Sequence, residues 1–306
     1  MLSQSAFQTC VSTLPWQANM QARQQLHLIA RLAVRSLYAE LVLYPKPGLV
    51  SLRDQGSHSD MDAACFMRSL FALRHYFKAI TIAGARGAGF EELRQLGIRA
   101  EQRMLLATGG VNTHRGAIFA LGILCAAAAC CLQQGQGMSP ASLQLAIASH
   151  WGQALREHSA AQSSDDVLSH GQQVAHHYAV SGAREEAAAG FPSIFDVALP
   201  RMQKSLRKRS DIHLAQVDTF FALMAHISDT NLYHRGGTSG VDFARTAAQG
   251  FLNQGATENP VWLQQAEQYH QQFIQRKLSP GGAADLLAAT CFVHDLCMNF
   301  PVAEKP

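Results

Sequence analysis

Two aspartates stand two residues apart in His58-Ser59-Asp60-Met61-Asp62, shortly after the loop Tyr44-Pro45-Lys46-Pro47-Gly48-Leu49-Val50. The carboxylates can cap the helix that follows. They can also hold Mg2+, which takes oxygen ligands and often binds together with substrate phosphates. Prolines stiffen the loop and Gly48 permits unusual backbone angles, so Lys46 can be presented to a ligand at low entropic cost. A second polar stretch, Thr108-Gly109-Gly110-Val111-Asn112-Thr113-His114-Arg115-Gly116, leads directly into an apolar segment. Free backbone N–H groups, a hydroxyl, an imidazole and a fixed cation at the head of a helix make a competent phosphate site. It is not a Walker A loop, because G-x-x-x-x-G-K-[ST] is absent and no strand precedes it. In a third stretch, Ser228 to Gly237, Asp229 and Asn231 are hard-oxygen ligands or ribose binders by type, and Arg235 is a second candidate phosphate contact. In the fourth, Ser279-Pro280-Gly281-Gly282-Ala283-Ala284-Asp285, the glycines leave room for a ligand to approach backbone amides. Each stretch alone reads equally as a capped helix end. Four of them in a chain poor in charge point to one shared anion pocket.

The elements that must position these residues are helices. Apolar residues recur at three- and four-residue steps from Arg23 to Leu43, with Leu26, Ile29, Ala33, Leu37 and Leu41 on one stripe, and Pro45 and Pro47 end that run. Similar spacing predicts helices over Met61–Ala83, Phe90–Ala107, Ala117–Leu132, Ala141–Arg156, Asp166–Ser181, Ile194–Leu206, Ile212–Ile227, Val241–Leu252, Val261–Leu278 and Ala283–Asn299. Gly236 and Gly237 read as punctuation. No alternating strand pattern or hairpin dipeptide appears, and no internal repeat. The expectation is an all-α fold, a single multi-helix domain over residues 23–306 behind a loosely ordered segment 1–22. The stretch Gly84 to Gly89 reads as a turn between helices, because no βαβ unit surrounds its glycines.

Composition narrows the partners. The 306 residues are 48% hydrophobic and only 15% charged, with 47 alanines, which excludes intrinsic disorder and suits closely packed helices. A net charge of +3 is too small to argue for nucleic acid or a membrane surface. The basic run Arg201, Lys204, Arg207, Lys208, Arg209 has no interleaved aromatic residues and reads as a solvated helix end. Fourteen histidines, His176-His177 among them, show no close metal-ligand spacing. Ala117 to Leu132 is too short and too rich in alanine for a membrane span and reads as a buried core helix. Cys125, Cys130, Cys131, Cys291 and Cys297 lie inside apolar runs, there is no C-x-x-C pair, and Met1 to Met20 does not read as a signal peptide, so a cytoplasmic protein is expected.

Five segments together carry a family resemblance: PKPGLVS (45–51), GSHSDMDA (56–63), AEQRMLLATGGVNTHRGAIFALGIL (100–124), DTNLYHRGG (229–237) and SPGGAADLLA (279–288). From about residue 25 to 300 the chain resembles the triphosphoribosyl-dephospho-coenzyme A synthase family. SHSDMDAACFMRSLFALRHYF looks more like its malonate decarboxylase branch than its citrate lyase branch. The resemblance implies a pentosyl transfer. ATP gives its 5-triphosphoribosyl group to the 2'-hydroxyl of 3'-dephospho-coenzyme A, adenine leaves, and the product passes to the enzyme that modifies an acyl carrier protein. ATP then needs only anchoring of its triphosphate, which accounts for the missing P-loop. Inversion at the anomeric carbon calls for a base on the incoming hydroxyl and a proton for the leaving base, by analogy with inverting glycosidases. Asp60, Asp62 and Asp229 would supply Mg2+ ligands and a base. Lys46, Arg115 and Arg235 would neutralise phosphate charge while Asn112, Thr113 and His114 orient it. Gly48, His58, Gly109, Gly110, Asn231, Gly236, Ser279, Gly281 and Gly282 complete the substrate-binding set, with Glu40 and Glu101 as further ligands or locks on a cation. A homodimer is one assembly open to such a chain. Two other activities keep the same residues in view: a Mg2+-dependent N-glycosidic hydrolase of the ADP-ribosyl type, and a non-enzymatic helical assembly factor for a carrier protein.

Overall fold

The computed structural model describes residues 15–160 and 182–301. Among these residues the chain forms eleven α-helices and no strand. The all-α expectation therefore holds. The helix expected over 166–181, with His176-His177, lies outside the described residues.

The first five helices are α1 (Pro15–Val42), α2 (Ala63–Ala85), α3 (Phe90–Thr108), α4 (Arg115–Gln133) and α5 (Pro140–Ala160). A short α6 (Ala183–Ala188) leads through a single π-helical turn (Ser193–Ala198) into α7 (Leu199–Arg209). The last four are α8 (Ile212–His226), α9 (Thr230–Asn253), α10 (Trp262–Gln275) and α11 (Gly281–Asn299).

Local chemistry sets most of these boundaries. α1 stops ahead of Pro45, and α2 begins where the Asp62 side chain accepts from the Cys65 N–H at 2.7 Å. The turn through Gly87 and Gly89 joins α2 to α3, as read from the sequence. One expectation fails: the segment ahead of Val241 is helical from Thr230, capped by Asp229, and Gly237 is a kink inside α9 at φ 60°, ψ −157°. Polar residues and paired glycines hid this turn, because its inner face is made by single residues such as the buried Leu232.

Two apolar clusters fill the interior. One joins α1 to α5 and the C-terminal half of α11, through Ala288, Ala289, Phe292, Val293 and Leu296. The other joins α7 to α10 and the N-terminal half of α11, through Ala283, Ala284, Leu287 and Cys291. α11 thus serves both, and its first turn lies where they meet. α4 is long and apolar enough to cross a membrane by length and composition, yet it is mostly buried inside the fold. Leu121 and Leu124 are wholly covered, each contributing roughly 1.5–3 kcal/mol by transfer from water. The six described thiols are unpaired, and all but Cys297 are buried.

The basic run on α7 is largely tied to its neighbours. Arg201 pairs with Asp218 at 3.3 Å, Lys208 with Glu258 at 2.7 Å, and Arg209 donates to the Thr257 carbonyl.

Candidate active site

The loop between α1 and α2 is bound to the turn between α10 and α11. Gly48 has φ +72°, and a Cβ there would lie 2.1 Å from the Leu278 carbonyl oxygen, so only glycine allows this approach. Buried His270 faces the same loop: its Nδ1 lies 3.2 Å from the Gly48 nitrogen and 3.1 Å from the Lys46 carbonyl oxygen, and its Nε2 lies 3.1 Å from Asp54. Ser57 Oγ donates to the Leu278 carbonyl at 2.6 Å.

Lys46 does not point out to a ligand. It is 1% exposed, and its ammonium donates to the Glu40 carboxylate and backbone carbonyl on the last turn of α1. Burial lowers the Lys46 pKa, and the Glu40 carboxylate opposes that shift. The stiff Pro-Lys-Pro loop therefore turns its cation inward, to neutralise a carboxylate that is itself 5% exposed.

Four residues from three stretches of chain meet beside the Gly48 turn. Arg235 on α9 lies with Nη2 3.0 Å from His58 Nδ1, and its Nη1 donates to the Ser57 and Lys277 carbonyls. His58 Nε2 is 2.8 Å from Ser279 Oγ, and exposed Asp60 approaches His58 Nδ1 at 3.5 Å. Burial and the Arg235 charge lower the His58 pKa, with Asp60 opposing them. Because guanidinium only donates, His58 Nδ1 accepts and the neutral ring directs its Nε2–H at Ser279.

Carboxylates occupy successive helix N-termini around α11. Asp229 is 2% exposed; it caps α9 by accepting from Asn231 N–H at 2.9 Å and reaches α11 by accepting from Ala283 N–H at 3.0 Å. Burial raises its pKa despite these bonds. Gly281 and Gly282 form the first turn of α11 against the Asn231 and Asp229 side chains. Asp285, one turn further, crosses to the N-terminus of α4, where it accepts from the Ala117 N–H. A Cβ at Gly116 would stand 2.2 Å from Asp285 Oδ2, so the glycine makes room for the carboxylate. Burial, Glu40 and Asp229, in that order, push the Asp285 carboxyl well above the ordinary range.

His114 occupies the N-cap position of α4 without a side-chain cap bond and is 3% exposed. Its Nδ1 lies 2.6 Å from Ser69 Oγ on α2, which in turn accepts from Thr113 Oγ1 at 2.8 Å. Burial, with a smaller contribution from Lys46, lowers its pKa to about 3, so the ring is neutral. Arg115 leans out to pair with Glu101, and its backbone N–H is held by Asn112 at 3.1 Å. Gly109 and Gly110 form an exposed left-handed turn at the end of α3, facing open space. Gly236 packs against the Leu278 side chain.

Among the described residues no three His, Cys, Asp or Glu side chains stand together in an arrangement that would hold a metal. The trio Asp60, Asp62 and Asp229 is therefore not assembled as a ligand set; Asp62 and Asp229 are engaged with backbone N–H groups.

The polar stretches thus converge at the helix ends around the head of α11, and comparison with known proteins shows the family of the chain. Residues 27–302 match the family described as CitG, ATP:dephospho-CoA triphosphoribosyl transferase. The chain belongs to that family. It is 40% identical over 273 residues to the probable 2-(5''-triphosphoribosyl)-3'-dephosphocoenzyme-A synthase of Acinetobacter calcoaceticus, covering 89% of this chain and 91% of the relative. It is also 40% identical over 266 residues to the 2-(5''-triphosphoribosyl)-3'-dephosphocoenzyme-A synthase of Klebsiella pneumoniae, covering 85% of this chain and 87% of that one. No solved structure matches the chain.

As a member of the triphosphoribosyl transferase family the chain is an enzyme, a transferase. Its candidate site contains residues that spacing did not single out. Asp285 stands inside the apolar run AADLLAA, and Ser69 inside MRSLFAL, where each reads as a helical residue on a mainly apolar face. The available signal was helical phase: buried Ala288 and Ala289 lie three and four residues after Asp285, and buried Cys65 and Leu73 lie four residues either side of Ser69. Asp54 and His270 had no such signal, since their pairing joins segments 216 residues apart.

Proposed function

We propose that this transferase moves the 5-triphosphoribosyl group of ATP to the 2'-hydroxyl of 3'-dephospho-coenzyme A with release of adenine. The acceptor oxygen forms a bond to the ribose anomeric carbon as the bond to adenine N9 breaks, and the hydroxyl proton ends on the departing base. One observation carries this assignment. The polar segments that carry the family resemblance are far apart in sequence, and they meet at the heads of α4, α9 and α11.

The division of labour follows from exposure. Arg115 and Arg235 lie at the surface of the site with guanidinium groups able to meet phosphates, which Arg recognises in bidentate fashion. Asn112, Asn231, Ser279 and the Gly281–Gly282 turn offer donors around them, while His58 and Thr113 hold Ser279 and Ser69 in place. Lys46 acts on substrate only through Glu40, whose charge it neutralises. The interior carboxylates Glu40, Asp229 and Asp285 are coupled, and such coupling is how a site keeps one carboxyl ready to take a proton. Asp285, with Asp229 beside it, is the proposed base for the incoming hydroxyl.

ATP enters as its magnesium complex, so the ion is part of the substrate. Mg2+ keeps several waters and binds through one or two carboxylates plus phosphates, and exposed Asp60 is the carboxylate with no backbone N–H bond to give up. We assign the product to the malonate decarboxylase carrier on the likeness of residues 57–77 to that branch. It would be handed to the enzyme that modifies the acyl carrier protein, in the cytoplasm, where the unpaired thiols of this chain are stable.

Mass spectrometry tests the transfer. Dephospho-coenzyme A incubated with ATP, Mg2+ and the protein gains one triphosphoribosyl unit, and that product serves the malonate decarboxylase carrier in a coupled assay. Service only to a citrate lyase carrier would correct the branch, and no mass gain would reject the transfer.

A further inference from the structure

The buried face of His114 has a polarity set by its neighbours. Thr113 Oγ1 donates to Ser69 Oγ, which leaves the single Ser69 proton for His114 Nδ1. A neutral imidazole that accepts at Nδ1 carries its proton on Nε2. That Nε2 is buried and has no hydrogen-bond partner among the described residues. Buried donors are paired in folded proteins as a rule, and an unpaired one asks for an explanation such as a ligand.

The surroundings say what kind of ligand. The Phe66 ring stands edge-on to the imidazole at a centroid distance of 5.0 Å, and the His114 backbone N–H is already spent on Met104 Sδ at 3.3 Å. Lys46, whose charge helps lower the His114 pKa, is itself paired with Glu40. An uncharged donor beside an aromatic ring suits a planar heteroaromatic acceptor, whereas a polyphosphate suits the guanidinium groups of Arg115, part-exposed, and Arg235, exposed.

We propose that His114 receives the adenine of ATP, its Nε2–H donating to a ring nitrogen of the base, and that Ser69 and Thr113 are positioning residues that fix the tautomer. The inference rests on the transfer reaction proposed above and adds a base subsite to it. As the bond from the anomeric carbon to N9 breaks, its electron pair stays on the purine. A fixed donor at another ring nitrogen stabilises that charge more in the transition state than in bound ATP. His114 keeps its own proton throughout; the proton that neutralises N9 comes from the acceptor hydroxyl.

The test measures adenine and inorganic tripolyphosphate binding separately, by calorimetry, for the full chain and for His114→Phe, Ser69→Ala and Ser69→Thr. Adenine affinity falls roughly five- to tenfold in the first two, as expected for loss of one hydrogen bond, returns in Ser69→Thr, and tripolyphosphate affinity stays unchanged. Nitrogen-15 spectra of the unmodified protein show His114 protonated at Nε2 and not at Nδ1, a readout that needs no variant to fold. Protonation at Nδ1, or loss of tripolyphosphate affinity with adenine affinity intact, would overturn the proposal. Failure of the transfer reaction is separately visible, since the unmodified protein would then form no adenine from ATP and dephospho-coenzyme A.

Discussion

Acid should unfold this protein partly through one histidine. His114 has a pKa of about 3 in the fold because burial, with a smaller push from Lys46, disfavours its charged form. In the unfolded chain a histidine titrates near 6.5. A depressed pKa contributes stability that is present above the unfolded value and is lost as pH falls towards the folded one. Between about pH 7 and about pH 5 the unfolded His114 takes up its proton while the folded one does not, which removes about 2 kcal/mol. For a chain of this length that corresponds to a fall of roughly 3 °C in Tm. Replacing His114 by Asn removes this component and leaves the other histidines in place, so the difference between the two pH profiles isolates it. Thermal melts followed by circular dichroism should show the His114→Asn variant losing about 3 °C less over that interval than the unmodified protein. Parallel profiles would mean that the ring is solvated or charged in the fold, and the neutral donor argued for above would go with it.

Other perturbations probe the interior charges. Lys46→Met leaves the Glu40 carboxylate buried without its cation and should cost about 3–5 kcal/mol, while the double replacement with Glu40→Gln recovers most of that in chemical denaturation. Equal losses in the single and double variants would show the pair to be uncoupled. Asp285→Asn keeps an acceptor for the Ala117 N–H and removes a carboxyl whose pKa is raised by burial, Glu40 and Asp229. A raised carboxyl pKa contributes stability below the unfolded value that is lost as pH rises towards the folded one, so the variant should gain Tm relative to the unmodified protein as pH rises above the ordinary carboxylate range, while turnover is abolished. Retained turnover in that variant would return Asp285 to the role of a helix cap.

Much of this architecture could be read from residue types, and the remainder depended on contacts that residue types do not encode. The alanine-rich apolar run of α4 reads as a buried helix, which the fold buries, and Pro45 ends α1 wherever the chain goes next. The polar stretches were visible because charge is scarce in this chain, so any cluster stands out. The N-terminal half of α9 was hidden, since Gly236 and Gly237 read as a break although Asp229 caps a helix that continues through a kink. The inward turn of Lys46 was hidden for a different reason: a Pro-Lys-Pro loop is equally stiff facing in or out, and only the position of Glu40 decides. Asp285 and Ser69 each sit on a mainly apolar helix face, where residue type alone names no partner, and the α4 N-terminus that Asp285 caps belongs to a distant part of the chain.

Family membership and the gathering of the polar stretches lead to one reaction, and the fate of adenine tests it most directly. Purified protein with ATP, Mg2+ and 3'-dephospho-coenzyme A should release one adenine for each acceptor consumed, and none when the acceptor is left out. Release of ADP or phosphate, or of adenine without the acceptor, would contradict it, the last of these in favour of N-glycosidic hydrolysis at the same site.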